Sequence, residues 1–213
     1  MHSEIGPDSI CRLTVGGARR CPTPLDCGRG TPSIRVSLGS SPRGSLPLVP
    51  FDSIPDDSRL WVFGARAPLD EVDTPRLLTA VDSYLSSWQA HGEPLTCARE
   101  FRDEHFLVVA VDERASGASG CSIDGLFRVL KGVEEGIGTS MIGGGLVFVR
   151  VAGGIVESCT RREFETMAAM GEVDGETQVF DTTVTTVGDF RARFERRARE
   201  SWHAELLGGQ ARK

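Results

Sequence analysis

The residues best placed for chemistry run from Val111 to Asp124: Val-Asp-Glu, then Arg-Ala-Ser-Gly-Ala-Ser-Gly-Cys-Ser-Ile-Asp. An apolar strand ends here in two carboxylates, and a loop of small residues opens onto a predicted helix. The first N–H groups of a helix lack internal partners and carry partial positive charge. Gly117, Ser119, Gly120 and Ser122 therefore suit a cradle for a phosphate or carboxylate, held by backbone N–H groups and hydroxyls. Cys121 at the same place suits a thiolate nucleophile or redox sensor, or else a small residue packed where helix meets sheet. Asp112 and Glu113 could hold Mg²⁺ or act as general base, or be solvated carboxylates at a strand end. Asp124 sits in the first helical turn, where it would complement the dipole but repel an anion.

The flanking sequence predicts the elements that carry these residues. Arg59 to Phe63 reads as a buried strand stopped at Gly64. Thr74 as N-cap and Pro75 at the first position then start a helix. Leu77, Leu78, Val81, Tyr84, Leu85 and Trp88 recur at helical period, with Gly92 as the stop. Leu95 to Phe101 reads as a strand of mixed polarity, and Phe106 to Val111, apolar on both faces, as a central one. Ile123, Leu126, Phe127, Leu130 and Val133 make one helical face. Leu146 to Val151 is a further strand, followed by a Gly153-Gly154 turn into a hairpin. Thr160 and Glu163 frame a capping box. A strand over residues 177–184 and a last helix from Gly188, with Phe190, Phe194, Ala198 and Trp202 four apart, complete the pattern.

Strand, helix, strand, strand, helix, strand over residues 58–151 is the order of a ferredoxin-like split β-α-β core. The expected fold is α+β, with that core extended by a hairpin, a strand and two C-terminal helices. If the first and third strands run parallel, the 64–74 and 112–122 loops face each other. Arg66 then joins the ligand-binding set and Asp70 approaches Cys121. His91 would lie roughly 25 Å away at 1.5 Å per residue along the helix. His105 would lie at the same far end, and only His203, unplaced by pattern, would remain as a base for Cys121.

Residues 1–56 hold eight of the eleven prolines and one aromatic, Phe51. They read as a disordered extension that cannot bury enough surface to offset its ordering entropy. Residues 57–207 form the expected single domain, and residues 208–213 a flexible tail. A formal charge of −6 argues against general nucleic-acid binding. No apolar run approaches the roughly 20 residues that cross a bilayer, so no membrane partner is expected. The start has neither a basic n-region nor an apolar h-region, so a cytoplasmic location is expected. Six cysteines (11, 21, 27, 97, 121 and 159) show no metal-ligand spacing and no dense disulfide pattern; free thiols are expected and no metal is assigned. No residue pattern specifies a cofactor or an oligomeric state. The basic residues Arg191, Arg193, Arg196, Arg197 and Arg199 could bind an acidic partner or form a solvated helix face.

Six stretches carry a resemblance: Ser58 to Phe63, Trp88-Gln-Ala-His-Gly92, Val111-Asp-Glu113, Ala118-Ser-Gly-Cys-Ser-Ile-Asp124, 181–184, and Ser201-Trp-His203. Over about residues 57–207 the chain resembles an uncharacterised family of small bacterial proteins whose members are often labelled "ABC transporter ATPase". The residues argue against the activity in that label. A phosphate loop of the Walker type needs Gly-x4-Gly-Lys-Ser/Thr, whereas Lys131 lies between Leu130 and Gly132 inside a helix and Lys213 is the last residue. Three readings stand: a domain binding a small anionic ligand at the 117–124 loop, a thiol-dependent enzyme or redox sensor using Cys121, and a non-catalytic interaction protein using the sheet face or the basic last helix.

Overall fold

The computed structural model describes residues 48–114 and 117–212. The three cysteines of the N-terminal extension, and the expectation of disorder for residues 1–47, lie outside the described residues.

The first strand, β1 (Arg59–Gly64), leads into helix α1 (Asp73–Leu85). Two two-residue strands, β2 (Gln89–Ala90) and β3 (Glu93–Pro94), form a small hairpin before β4 (Thr96–Arg102) and β5 (Phe106–Asp112). Helix α2 (Gly120–Ile137) follows, then β6 (Leu146–Arg150), β7 (Val156–Thr160) and α3 (Arg161–Met170). The chain closes with β8 (Gln178–Phe180), α4 (Val187–Arg193), β9 (Glu195–Arg197) and 3-10 turns over Ala198–Glu200 and Trp202–Arg212. The fold is α+β, with antiparallel sheets, and among the described residues no helix is long and apolar enough to cross a membrane.

The first sheet has the order β1-β5-β4, with both pairings antiparallel. β5 is buried along nearly its whole length, as a central strand must be. Asp103 and Glu104 both take positive φ in the three-residue loop 103–105, and this tight turn sets β5 antiparallel to β4. β1 on the other side of β5 then runs parallel to β4. The expected parallel pairing of the first and third strands is therefore corrected to an antiparallel one, Arg59 opposite Val111 and Gly64 opposite Phe106. The expected fourth strand, β6, does not join this sheet at all. It is a central strand of a second sheet, of order β7-β6-β8-β9.

Alternation along the strands arranges the core in layers. Leu107, Val109 and Val111 of β5 face Leu77, Val81 and Leu85 of α1 and Leu126 and Leu130 of α2. The intervening residues Phe106, Val108 and Ala110 face Phe148 and Phe180 of the second sheet and Phe194 at the end of α4. Val147, Val149 and Val179 on that sheet's far side are covered by Phe164 and Ala168 of α3 and by Leu207. Both faces of the central strands of both sheets are thus occupied, giving a helix–sheet–sheet–helix sandwich.

Residues before 57 also pack on this domain. Leu48 bridges Cys97 on the outer side of β4, Phe51 packs edge-on to Phe190 at 5.7 Å, and Ile54 is buried. The predicted last helix is broken. α4 gives way to β9 at Glu195, so the five arginines do not form one stripe, and each is held locally, for example Arg193 by Asp189 at 2.8 Å and Arg197 by Glu176 at 3.3 Å.

Candidate functional site

Because β1 and β5 are antiparallel, α1 returns to the end of the sheet where β5 finishes and α2 begins. The C-terminal end of α1 therefore meets Cys121. A cavity of about 590 Å³ lies between them, walled by Tyr84, Ser87, Trp88 and Gln89 on one side and Ser119 to Ser122, Gly125 and Arg128 on the other, with His91 at its edge. This overturns the expected separation of His91 from Cys121: both line the same cavity. The helix ends at Leu85 rather than at Gly92, and His91 and Gly92, with φ of 55° and 84°, are the turn of the β2–β3 hairpin. Histidine tolerates that backbone better than most residues, and glycine adopts it freely.

Ser119 is the N-cap of α2, its hydroxyl accepting from the Ser122 N–H at 3.2 Å. The Ser119 carbonyl accepts from the Ser122 and Ile123 N–H groups, each at 3.0 Å, and from the Ser122 hydroxyl at 2.8 Å. Among the described residues the Gly120 and Cys121 N–H groups have no acceptor. Cys121 is exposed, not packed under the helix. On the opposite wall, the Tyr84 hydroxyl and Trp88 Nε1, the latter at 3.1 Å, both donate to the Ser122 carbonyl. Two aromatic donors on one carbonyl fix the first turn of α2 against α1. Gly125 makes this possible, since a Cβ there would overlap the Tyr84 hydroxyl. Burial pushes the Tyr84 phenol above its ordinary pKa, opposed by the nearby Arg128 charge.

The other expected site residues lie elsewhere. Asp112 is clamped by its neighbour, with Arg114 Nε at 2.9 Å and Nη2 at 2.6 Å from its two oxygens. That hydrogen-bonded guanidinium holds the Asp112 carboxyl below the usual carboxylate range. Glu113 accepts from the Ala118 N–H at 3.2 Å and lies 3.7 Å from Arg59. Both carboxylates brace the loop, and neither lines the Cys121 cavity. Gly117 and Asp124 are exposed and also outside its lining.

Arg66 and Asp70 sit at the opposite end of β1. Arg66 lines a separate surface cavity with Cys159, Arg162 and Glu163, and its N–H donates to the Ser140 carbonyl at 2.9 Å. The Asp70 carboxylate accepts from the Val72 and Asp73 N–H groups, both at 2.8 Å, and so supplies the helix start that Thr74 was expected to provide. His105 is buried between the sheets, with its ring nitrogens 2.8 Å from the Ala65 carbonyl and 3.1 Å from that of Val156. His203 is buried beside Phe164 and Trp202, remote from the lining of the Cys121 cavity.

Of the predicted ligand set, the structure brings together Ser119, Gly120 and Ser122 beside the predicted nucleophile Cys121, and adds His91 and Arg128. Arg128 was visible as the residue seven beyond Cys121 on α2, about two turns on, where side chains four and seven apart share a face. Among the described residues no group of three or more His, Cys, Asp or Glu side chains is placed to hold a metal ion. No protein-family model matches the chain, and neither curated proteins nor solved structures yield a match to it.

Proposed function

We propose that the protein binds a small anionic molecule in the cavity beside Cys121. The observation that carries this reading is the charge of the walls. They hold Arg128, an imidazole at His91 and two helix-terminal N–H groups without acceptors, and no carboxylate. Asp124, which would oppose an anion, is outside the lining. A phosphate or carboxylate would accept from the Gly120 and Cys121 N–H groups while its remaining charge faces Arg128.

The test is thermal and denaturant unfolding with inorganic phosphate, nucleotides and small carboxylates. A true ligand at a hundredfold excess over Kd should add about 2.7 kcal/mol of stability. The Arg128→Gln variant should lose most of that gain. The reading fails if no anion raises stability, or if the gain is unchanged in the variant.

The presence of His91 in the same cavity favours a second reading, thiol chemistry at Cys121 with His91 as its proton acceptor. Burial pushes the Cys97 thiol up to about 12 and the Cys159 thiol up to about 11, so both are poor nucleophiles near neutrality. Iodoacetamide should then modify Cys121 much faster than either, with His91→Gln slowing it several-fold. Equal rates with and without His91 remove this reading.

A further inference from the structure

β1 is an edge strand, and its outer side is only partly used. The Leu60 N–H donates to the Thr185 carbonyl at 2.8 Å, and the Val187 N–H to the Ser58 carbonyl at 3.0 Å. Beyond that point the pairing stops. Alternation places the N–H and C=O of Val62 and Gly64, like those of Leu60, away from β5, because Ala65 returns inward to the His105 carbonyl. Among the described residues, the Val62 and Gly64 N–H groups and the Leu60 and Val62 carbonyls have no partner. Beside them lies a cavity of about 360 Å³. Phe127, Met141 and Ile142 wall it on the helix side, and Leu146, Phe148 and Val184 on the second-sheet side. Gly143 to Gly145 and Thr182 to Thr185 form its two rims, and no lining residue carries a charge.

We propose that this slot takes an extended, uncharged apolar peptide of a partner protein, which adds to β1 as a fourth strand of the first sheet. Three features specify that occupant. The open ladder groups alternate as a strand requires, over about five residues at roughly 3.3 Å each. Apolar walls on both sides suit β-branched side chains pointing alternately up and down. The lack of any lining charge penalises an acidic or basic segment, since a charge buried there would go unpaired. A second copy of the chain fits poorly, because its own β1 lies recessed between the same rims and two copies would meet rim to rim. The position is the one that β6 would have filled in the expected four-stranded core; β6 lies in the other sheet and leaves it open.

The experiment pans a display library of random eight-residue peptides against the full chain. The expected selections are uncharged sequences with alternating Val, Ile or Thr. A synthetic copy of the best binder should slow hydrogen exchange at the Val62 and Gly64 amides. N-methylation of alternate residues in that peptide should weaken binding at least tenfold. Gly144→Glu should do the same with an unchanged melting temperature, because the site has open space for a side chain and no positive φ. The proposal is overturned by a library with no enrichment, or by selected peptides that bind Gly144→Glu equally well. It is also overturned if the Val62 and Gly64 amides are already protected in the free protein, whether by a second copy or by the chain's own N-terminal segment.

Discussion

His203 sits fully buried, its Nδ1 2.9 Å from the Ser201 hydroxyl, while Nε2 has no partner among the described residues. Burial drives its pKa down to about 4, against the opposing pull of Asp181. The folded protein therefore keeps the ring neutral where an unfolded chain, near the ordinary 6.5, takes up a proton. Stability from this group is complete above about pH 6.5 and is lost as pH falls towards 4, about 3 kcal/mol in all. In His203→Leu that part of the acid loss should vanish, which urea unfolding of both proteins at pH 7 and pH 4 will measure. His105 poses a different problem: both of its nitrogens face carbonyls, and a neutral imidazole can donate to only one. At this scale the sequence was informative for Ser119, Cys121 and Ser122, because a capping serine before a helix has local consequences. It was silent on Asp112, since nothing in Asp-Glu-Arg says whether the carboxylate faces solvent, a metal or, as found, the arginine two residues on.

The meeting of α1 and α2 is where the candidate site is made. Alanine normally favours a helix over glycine by about 1 kcal/mol. At Gly125 the added methyl would run into the Tyr84 ring, and such overlaps cost about 1–3 kcal/mol. Gly125→Ala should therefore lower stability despite its better propensity; a rise in melting temperature would mean that the Tyr84 contact with the Ser122 carbonyl is not maintained. The direction of β1 decided what the sequence could reveal about this region. Apolar content marked β5 as central but says nothing about strand sense. The signal was present in Asp103-Glu104: so short a turn forces β4 and β5 antiparallel, and a split β-α-β unit then makes β1 antiparallel to β5. With that step taken, the end of α1 falls beside Cys121 and His91 comes with it. The break of the last helix was hidden for another reason. Phe190, Phe194 and Ala198 are four apart, yet the first two pack between the sheets and Ala198 on the far side of the second sheet.

Across the whole molecule, the two sheets meet through aromatic side chains. Phe106 is fully buried, with Phe148, Phe180 and Phe194 ring centroids at 4.9, 4.8 and 5.0 Å. Truncation there removes contacts to three elements at once, and Phe106→Ala should cost about 3–5 kcal/mol, read as a lower denaturation midpoint. The layered arrangement itself was only half legible. Alternation identified which residues were buried, but β6 satisfies its pattern equally well beside β1 or in a second sheet. The choice rests on contacts far apart in the chain, such as the pairing of Val149 with Val179.

The two borders of the first sheet are unequal. On the β4 side the incoming chain bonds to it, the Val49 N–H donating to the Cys97 carbonyl at 2.9 Å; among the described residues the β1 side has no such cover past Leu60. A body with one sticky border can couple once and is then finished. Cut the chain just before residue 57 and the β4 border loses its guard as well, leaving a unit able to join neighbours at both ends, as growth into fibres requires.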